Sequence, residues 1–260
     1  MTYQSITFYT LLLLSVLVGC GTAENPKTEE KPESSTTSEE VKLSYKMPQL
    51  TPGNVSESLK AYGEANPETQ VVIHTDMGDI KIKLYEETPY HRANFIYLTK
   101  KGFFNGTVFY RIIQKFMIQG GAGDFPQRDE VKKKLGTYRV PSEYKTDQYF
   151  HKRGALSAAK KPGETPEIGS TPYDFFIVQG EKWSTGQLQT LAQQEKMQLS
   201  PAQTQVYSTV GGVPSLDGKH TVFGEVTEGL DVVDKIAALK TRADGWPLDG
   251  LVKMTIEVIE

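Results

Sequence analysis

The stretch FYRIIQKFMIQGG, residues 109–121, decides how the rest of the chain is read. Residues 108–113 and 116–119 are short runs of strand formers on either side of a turn. Around that turn stand, among others, an arginine, a glutamine, a phenylalanine and a methionine: Arg111, Gln119, Phe116 and Met117. Taken singly, such an arginine is most often a surface charge, and apolar strand residues most often face a core. Their meaning therefore depends on their neighbours along the chain.

Upstream, residues 71–75 (VVIHT) and 80–85 (IKIKLY) read as two strands joined by the turn DMGD at 76–79. The second alternates apolar residues with lysine, as a half-exposed antiparallel strand should. Thr88 is placed to cap a helix with Pro89 at its first position and Gly102 past its end. Ala93, Phe95, Ile96 and Leu98 would form that helix's apolar face. A shorter helix over about 54–65 leads in, with Pro67 helping to end it. Downstream, 155–159, 175–179, 221–226 and 252–259 read as strands, and about 230–239 as a helix. Many short strands with two helices among them point to a closed barrel whose open ends are covered by those helices. Residues 184–210 break this pattern, being Gln-rich and strong in helix formers, with Ser200–Pro201 starting a second helix. They read as a helical insertion, too short to bury a core of their own.

The N-terminal part is different in kind. Residues 11–18 (LLLLSVLV) are apolar but too short to span a bilayer, which takes about 20 residues, and their length suits the apolar region of a signal peptide. They run into Leu17, Val18, Gly19 and Cys20, which resembles the bacterial lipobox, where cleavage leaves a lipidated cysteine. Residues 21–46 are rich in Glu, Lys, Ser, Thr and Pro and offer little to bury, so they read as a flexible tether. The expected organisation is a lipoprotein signal peptide over 1–19, lipidated Cys20 and tether over 20–50, and a folded domain over 51–260. That places the domain outside the cytoplasm, anchored in a bacterial cell envelope.

Composition narrows the function classes. Twenty-nine basic against 32 acidic side chains give a net charge of −3, which excludes a strongly basic nucleic-acid binder. The single cysteine excludes an internal disulfide framework and a four-cysteine zinc module. The four histidines form no H-E-x-x-H pair, and His74, His91 and His151 read as structural. Gly120–Gly123 lacks the Gly-Lys-Ser/Thr of a phosphate loop, and no helix-forming run follows it, so it reads as a turn. No metal or cofactor is expected.

The 109–121 segment resembles the signature of the cyclophilins, peptidyl-prolyl isomerases built on an eight-stranded antiparallel barrel. Three further blocks follow in the family's order: GALSAA at 154–159, FFIV at 175–178 and LDGKHTVFG at 216–224. The resemblance covers about 70 to 260, with the helical insertion added. It implies a mainly β, closed eight-stranded barrel acting on proline-containing polypeptides, as a monomer. It also implies that Arg111 is catalytic and Gln119 orients it. Phe116, Met117, Phe176, Leu216 and His220 would form the proline pocket, main-chain groups near Ala159 and Lys160 would hold the substrate extended, and Asp174 would also stand among the substrate-binding residues.

That assignment has a chemical rationale. Rotation about an X–Pro bond meets a barrier of roughly 18–20 kcal/mol from amide resonance, and no bond need be made or cut. A donor reaching the imide nitrogen as its lone pair localises lowers the barrier, because the hydrogen bond exists only in the twisted state. Arginine suits the task, since its charge does not titrate and its donors are held in a rigid fork. Three positions depart from the family pattern: Lys160 stands where Asn is common, Asp174 where Gln is common, and Ser215 where Trp is frequent. Without that Trp the resemblance does not imply strong cyclosporin binding. Lys160 and Asp174 are expected to pair across neighbouring strands and leave Arg111 free. A non-catalytic lipoprotein that keeps the groove to hold Pro-containing partners is the alternative reading. A solute-binding lipoprotein is a third, although it usually needs a larger, two-lobed chain.

Overall fold

The computed structural model describes residues 47–259, so the expected signal peptide, Cys20 and most of the tether lie outside the described residues. The chain enters through α1 (Val55–Ala65) and then forms the hairpin β1 (Gln70–Thr75) and β2 (Gly78–Leu84). In that hairpin Ile73 pairs with Ile80 and Val71 with Ile82, and all four are buried while the intervening lysines are exposed. The alternation read from the sequence is thus the inside–outside alternation of the wall.

After α2 (Pro89–Lys100) come β3 (Thr107–Ile113), β4 (Met117–Gly121) and α3 (Asp129–Leu135). Then follow β5 (Ala155–Ala158), β6 (Asp174–Val178), the insertion helices α4 (Thr185–Glu195) and α5 (Pro201–Thr209), β7 (Val222–Glu228), α6 (Leu230–Ala237) and β8 (Val252–Val258). The strands close into a barrel in the order β1-β2-β7-β5-β6-β4-β3-β8, every pair antiparallel. Phe95 of α2 reaches the rings of Phe104 (5.0 Å), Phe175 (5.4 Å) and Phe223 (5.6 Å), and Val232, Val233 and Ile236 of α6 join the same core. Among the described residues no helix is long and apolar enough to cross a membrane.

Four local features differ from expectation. Thr88 holds the position before α2, but its hydroxyl donates back to the Tyr85 carbonyl. The cap is instead the carboxylate of Glu143, which accepts from the Tyr90 N–H at 3.0 Å and the His91 N–H at 2.9 Å. A remote acid thus meets the orphan donors and the positive end of the helix dipole. α2 is also buried on nearly all sides, because α1 covers its outer face. Among its buried polar groups, Asn94 is bonded to the Pro172 carbonyl and the Tyr138 hydroxyl. Leu50, the last residue of the stretch expected as tether, is fully buried and its N–H donates to the Leu135 carbonyl. A helical stretch does follow the Gly120–Gly123 turn, a 3-10 turn at Pro126–Arg128 and then α3. It carries no apolar stripe, since of α3 only Leu135 is buried, which is why periodicity did not reveal it.

β5 and β6 are buried on both faces. Outside the barrel wall lies a second apolar cluster, with Met117, Ala155, Phe176, Val178, Val213 and Val222 among its members. The unbroken FFIV run reflects this double burial. Both insertion helices open with a capping box, Ser184 with Gln187 and Ser200 with Gln203, so each start is encoded locally.

Candidate active site

A groove of about 700 Å³ opens on the outer face of the β3–β4–β6–β5 wall. All ten residues singled out from the sequence as catalytic or substrate-binding line it. The strand register explains how they meet. Arg111 lies opposite Gln119, and Gln119 opposite Phe176, so three neighbouring strands present them side by side. Arg111 Nη1 donates to Gln119 Oε1 at 3.5 Å, a long contact of the kind that tightens when a ligand is bound.

A bulge makes this arrangement possible. The β3–β4 pairing shifts between Phe109 and Arg111, and both Phe109 and Ile112 are fully buried in the barrel. Two residues, Tyr110 and Arg111, therefore share the outer face where strict alternation would allow one. Gly245 then supports the arginine stem. Its φ is +90°, and a Cβ there would lie 3.0 Å from the Ile112 carbonyl oxygen and 3.1 Å from Arg111 Cγ. A side chain at this position would thus be strained and would push on Arg111.

The Phe176 ring is held from two sides. His151 stacks on it at 5.9 Å with 14° between planes, and His220 meets it edge-on at 5.4 Å. His151 is fully buried, with Nδ1 2.8 Å from Asp217 Oδ1 and Nε2 3.0 Å from Ser157 Oγ. Asp217 Oδ2 accepts the Tyr207 hydroxyl of α5 at 2.6 Å, so the insertion reaches the back of the groove through this network. The Trp183 indole N–H bonded to the Gly212 carbonyl, and Gln203 bonded to the Thr146 carbonyl, fasten the same helices. The structural reading of His151 and His91 accords with these contacts, His91 lying between Glu143 and Ser170.

His220 contacts the Ala158 carbonyl through Nδ1 at 3.1 Å, which assigns the proton to that nitrogen because a carbonyl can only accept. Burial pushes its pKa down to about 4, the Ala158 hydrogen bond opposing and His151, Lys160 and Lys219 adding to the fall. An unfolded histidine titrates near 6.5. A depressed folded value means that the stability tied to neutral His220 is complete above about pH 6.5 and is lost as pH falls toward 4. The imidazole resonances of His220 should accordingly titrate with a midpoint near 4, and His220→Gln should lessen the acid loss of urea resistance over that interval. A midpoint near 6.5 would contradict this assignment.

Two expectations are corrected. The main-chain groups of Ala159 are already engaged: its N–H donates to the Asp174 carbonyl, and its carbonyl accepts both the N–H and the hydroxyl of Thr171. They cannot also hold a ligand, whereas those of Lys160 carry no such bond among the described residues. Nor do Lys160 and Asp174 pair. The Lys160 ammonium donates to the Tyr144 hydroxyl and to the carbonyls of Thr165 and Pro166, each within 3.3 Å. The Asp174 carboxylate accepts the Gly123 N–H at 2.7 Å and the Tyr110 hydroxyl at 3.2 Å. Backbone donors and a neighbouring phenol satisfy it without a cation, so Arg111 is free for a different reason from the one expected. Tyr110 itself was missed, because the bulge that turns it outward leaves no mark in the residue pattern.

The comparisons with known proteins agree with this architecture. A family model described as cyclophilin type peptidyl-prolyl cis-trans isomerase/CLD matches residues 70–258. A Staphylococcus saprophyticus protein named for peptidyl-prolyl cis-trans isomerase activity is 34% identical over 198 residues, covering 74% of this chain and 93% of the relative. A Staphylococcus aureus protein of the same name is 34% identical over 209 residues, covering 76% of this chain and 98% of the relative. A cyclophilin-type isomerase of Cryptosporidium parvum superposes with a TM-score of 0.52 at 20% identity, covering 74% of this chain and 98% of that one. It has also been crystallised in the presence of the dipeptide Ala-Pro, in which form the TM-score is 0.51 at 21% identity. The barrel, the groove and the sequence match lead to one conclusion: this chain belongs to the cyclophilin-type peptidyl-prolyl cis-trans isomerases.

Proposed function

We propose that the groove binds X–Pro segments of extracytoplasmic polypeptides and catalyses their cis–trans isomerisation in place, with Arg111 as the catalytic donor. The observation that carries this reading is the side-by-side setting of Arg111, Gln119 and Phe176 on the wall of one groove. The Phe176 ring, with Phe116, Met117, Leu216 and neutral His220 around it, forms an apolar seat for a proline ring. Lys160, whose main chain is unpaired, receives the substrate backbone beside it. The guanidinium then meets the imide nitrogen as the bond twists and its lone pair localises, while Gln119 keeps Arg111 aimed. Apolar seating combined with main-chain recognition tolerates varied residues around the proline.

The apolar 11–18 run ending in Leu17, Val18, Gly19 and Cys20 supports a lipid-anchored form in the cell envelope, with residues 21–46 as the spacer. Acyl burial gains about 0.8 kcal/mol per methylene, so a multiply acylated cysteine holds the chain on a membrane. In that setting a monomeric isomerase serves proteins whose folding waits on X–Pro bonds for tens to hundreds of seconds. Exchange NMR on a short X–Pro peptide with the purified full chain tests the activity, with faster cis–trans exchange as the expected result. Tight peptide binding without faster exchange would favour a non-catalytic binding lipoprotein. Labelled fatty acid should enter the wild-type chain and not Cys20→Ser in cells. Equal labelling of the two would refute the anchor.

A further inference from the structure

Asp174 and Tyr110 line the groove beside the catalytic pair, and their hydrogen bonds have a direction. We propose that they are positioning residues: the Asp174 carboxylate polarises a chain through the Tyr110 hydroxyl that fixes which end of the Gln119 amide faces Arg111. The proposal rests on the reading of Arg111 as the catalytic donor.

The direction follows from counting protons. An ionised carboxylate can only accept, so the single proton of the Tyr110 hydroxyl is donated to Asp174 Oδ1 at 3.2 Å. The phenol oxygen is then left as an acceptor and takes an N–H from Gln119 Nε2 at 2.7 Å. With the amide nitrogen committed there, Oε1 must face the other way, toward Arg111 Nη1. If Tyr110 instead gave its proton to Gln119, the amide would turn over and set its NH2 against the guanidinium, donor against donor. Arg111 would then lose the acceptor that aims it.

The chain is anchored at its far end. Asp174 Oδ1 also accepts the Gly123 N–H at 2.7 Å, and Lys132 Nζ of α3 grips the Gly123 carbonyl at 2.5 Å. Gly121, with φ +124°, lets β4 pass so close to β6 that a Cβ would lie 2.3 Å from the Tyr173 carbonyl oxygen and 2.9 Å from Asp174 Cα. The charged or titratable groups acting on Asp174 are Tyr110 of β3, Asp124 after β4 and Lys132 of α3. Burial raises the Asp174 carboxyl above the usual range, while the Gly123 and Tyr110 hydrogen bonds and Lys132 work against the rise. Protonation in acid would let Asp174 donate to Tyr110 and reverse the chain, so activity should fall as Asp174 takes up a proton.

The test uses the full chain, with kcat and KM measured on an Ala-Pro peptide from pH 4.5 to 8, and unfolding curves as a fold control. Tyr110→Phe, which removes one hydroxyl, should lower kcat about tenfold with little change in KM. Asp174→Ala should do the same, and the double variant should lose no more than either single one, because both break one chain. Asp174→Asn keeps an acceptor for Tyr110 and Gly123 and should retain most activity at pH 7 while losing the acid limb. Wild-type kcat in both Tyr110→Phe and Asp174→Ala would overturn the proposal, as would an acid limb unchanged in Asp174→Asn. Should Asp174→Ala unfold, Tyr110→Phe and the Asp174→Asn profile still decide. The parent reading fails separately, by an Arg111→Ala variant as active as wild type.

Discussion

Arg111→Ala should lower kcat/KM for an X–Pro peptide by about 100- to 1,000-fold, the range seen when one preorganised donor to a transition state is removed. The loss should fall on kcat, since in the proposed mechanism the donor meets the imide nitrogen only as the bond rotates, while the groove around Phe176 should still bind the ground state. Stability should scarcely change. Arg111 is half-buried and makes no ion pair among the described residues, so its removal breaks one long hydrogen bond to Gln119. Arg111→Lys should recover only part of the activity, because an ammonium is a point charge on a flexible stem and cannot lie flat against Gln119 as it donates. Exchange NMR with wild type and both variants side by side reads the outcome. Equal exchange rates in wild type and Arg111→Ala would remove Arg111 from the reaction.

The second large effect concerns the fold behind the groove. His151→Ala should destabilise the protein by about 3–5 kcal/mol, because it strips a buried carboxylate of its partner. Asp217 would keep the Tyr207 hydroxyl and the residue-151 N–H but lose the ring nitrogen at 2.8 Å. Ser157 would lose the same ring, and Phe176 the surface it stacks on. For a domain of this size the melting point should fall by on the order of 10 °C. Tyr207→Phe cuts the same network at one hydrogen bond and should cost about 1–2 kcal/mol, which separates the role of α5 from that of the histidine. Thermal unfolding by circular dichroism measures both. A change below 1 kcal/mol for His151→Ala would show that the network carries little of the stability.

How much of this was legible in the chain varies with the physics of each element. The alternation of IKIKLY is a one-sided burial pattern and was read directly. The unbroken FFIV run is buried on both faces and says strand only by its length and its β-branched and aromatic residues. The insertion helices were visible because serine, proline and glutamine encode their starts within four residues. The groove residues were found through family resemblance, because nothing local tells a Phe176 that lines the groove from a Phe175 that fills the barrel. What stayed hidden were contacts made across long sequence gaps. Glu143 caps a helix some fifty residues upstream, with its carboxylate on the His91 N–H at 2.9 Å. The bulge at Tyr110 is a register slip between strands, and the partner of Asp174 depends on it.

The place of β8 in the barrel has a consequence for how the protein is made. Ile73 of the first strand pairs with Ile256 of the last, and β8 alone joins β1 to β3. A ribosome delivers β1 before the other strands and β8 after them, so the partner of the first strand does not exist until the other seven strands have been made. Until then the wall is an open sheet with two raw edges, and the strand carrying Arg111 is one of them. The barrel can close only after β8 has emerged, with the slow search that distant pairings impose. The barrel is thus a late-closing structure, and a chain lacking residues 251–260 should yield an aggregation-prone sheet rather than a weakened enzyme.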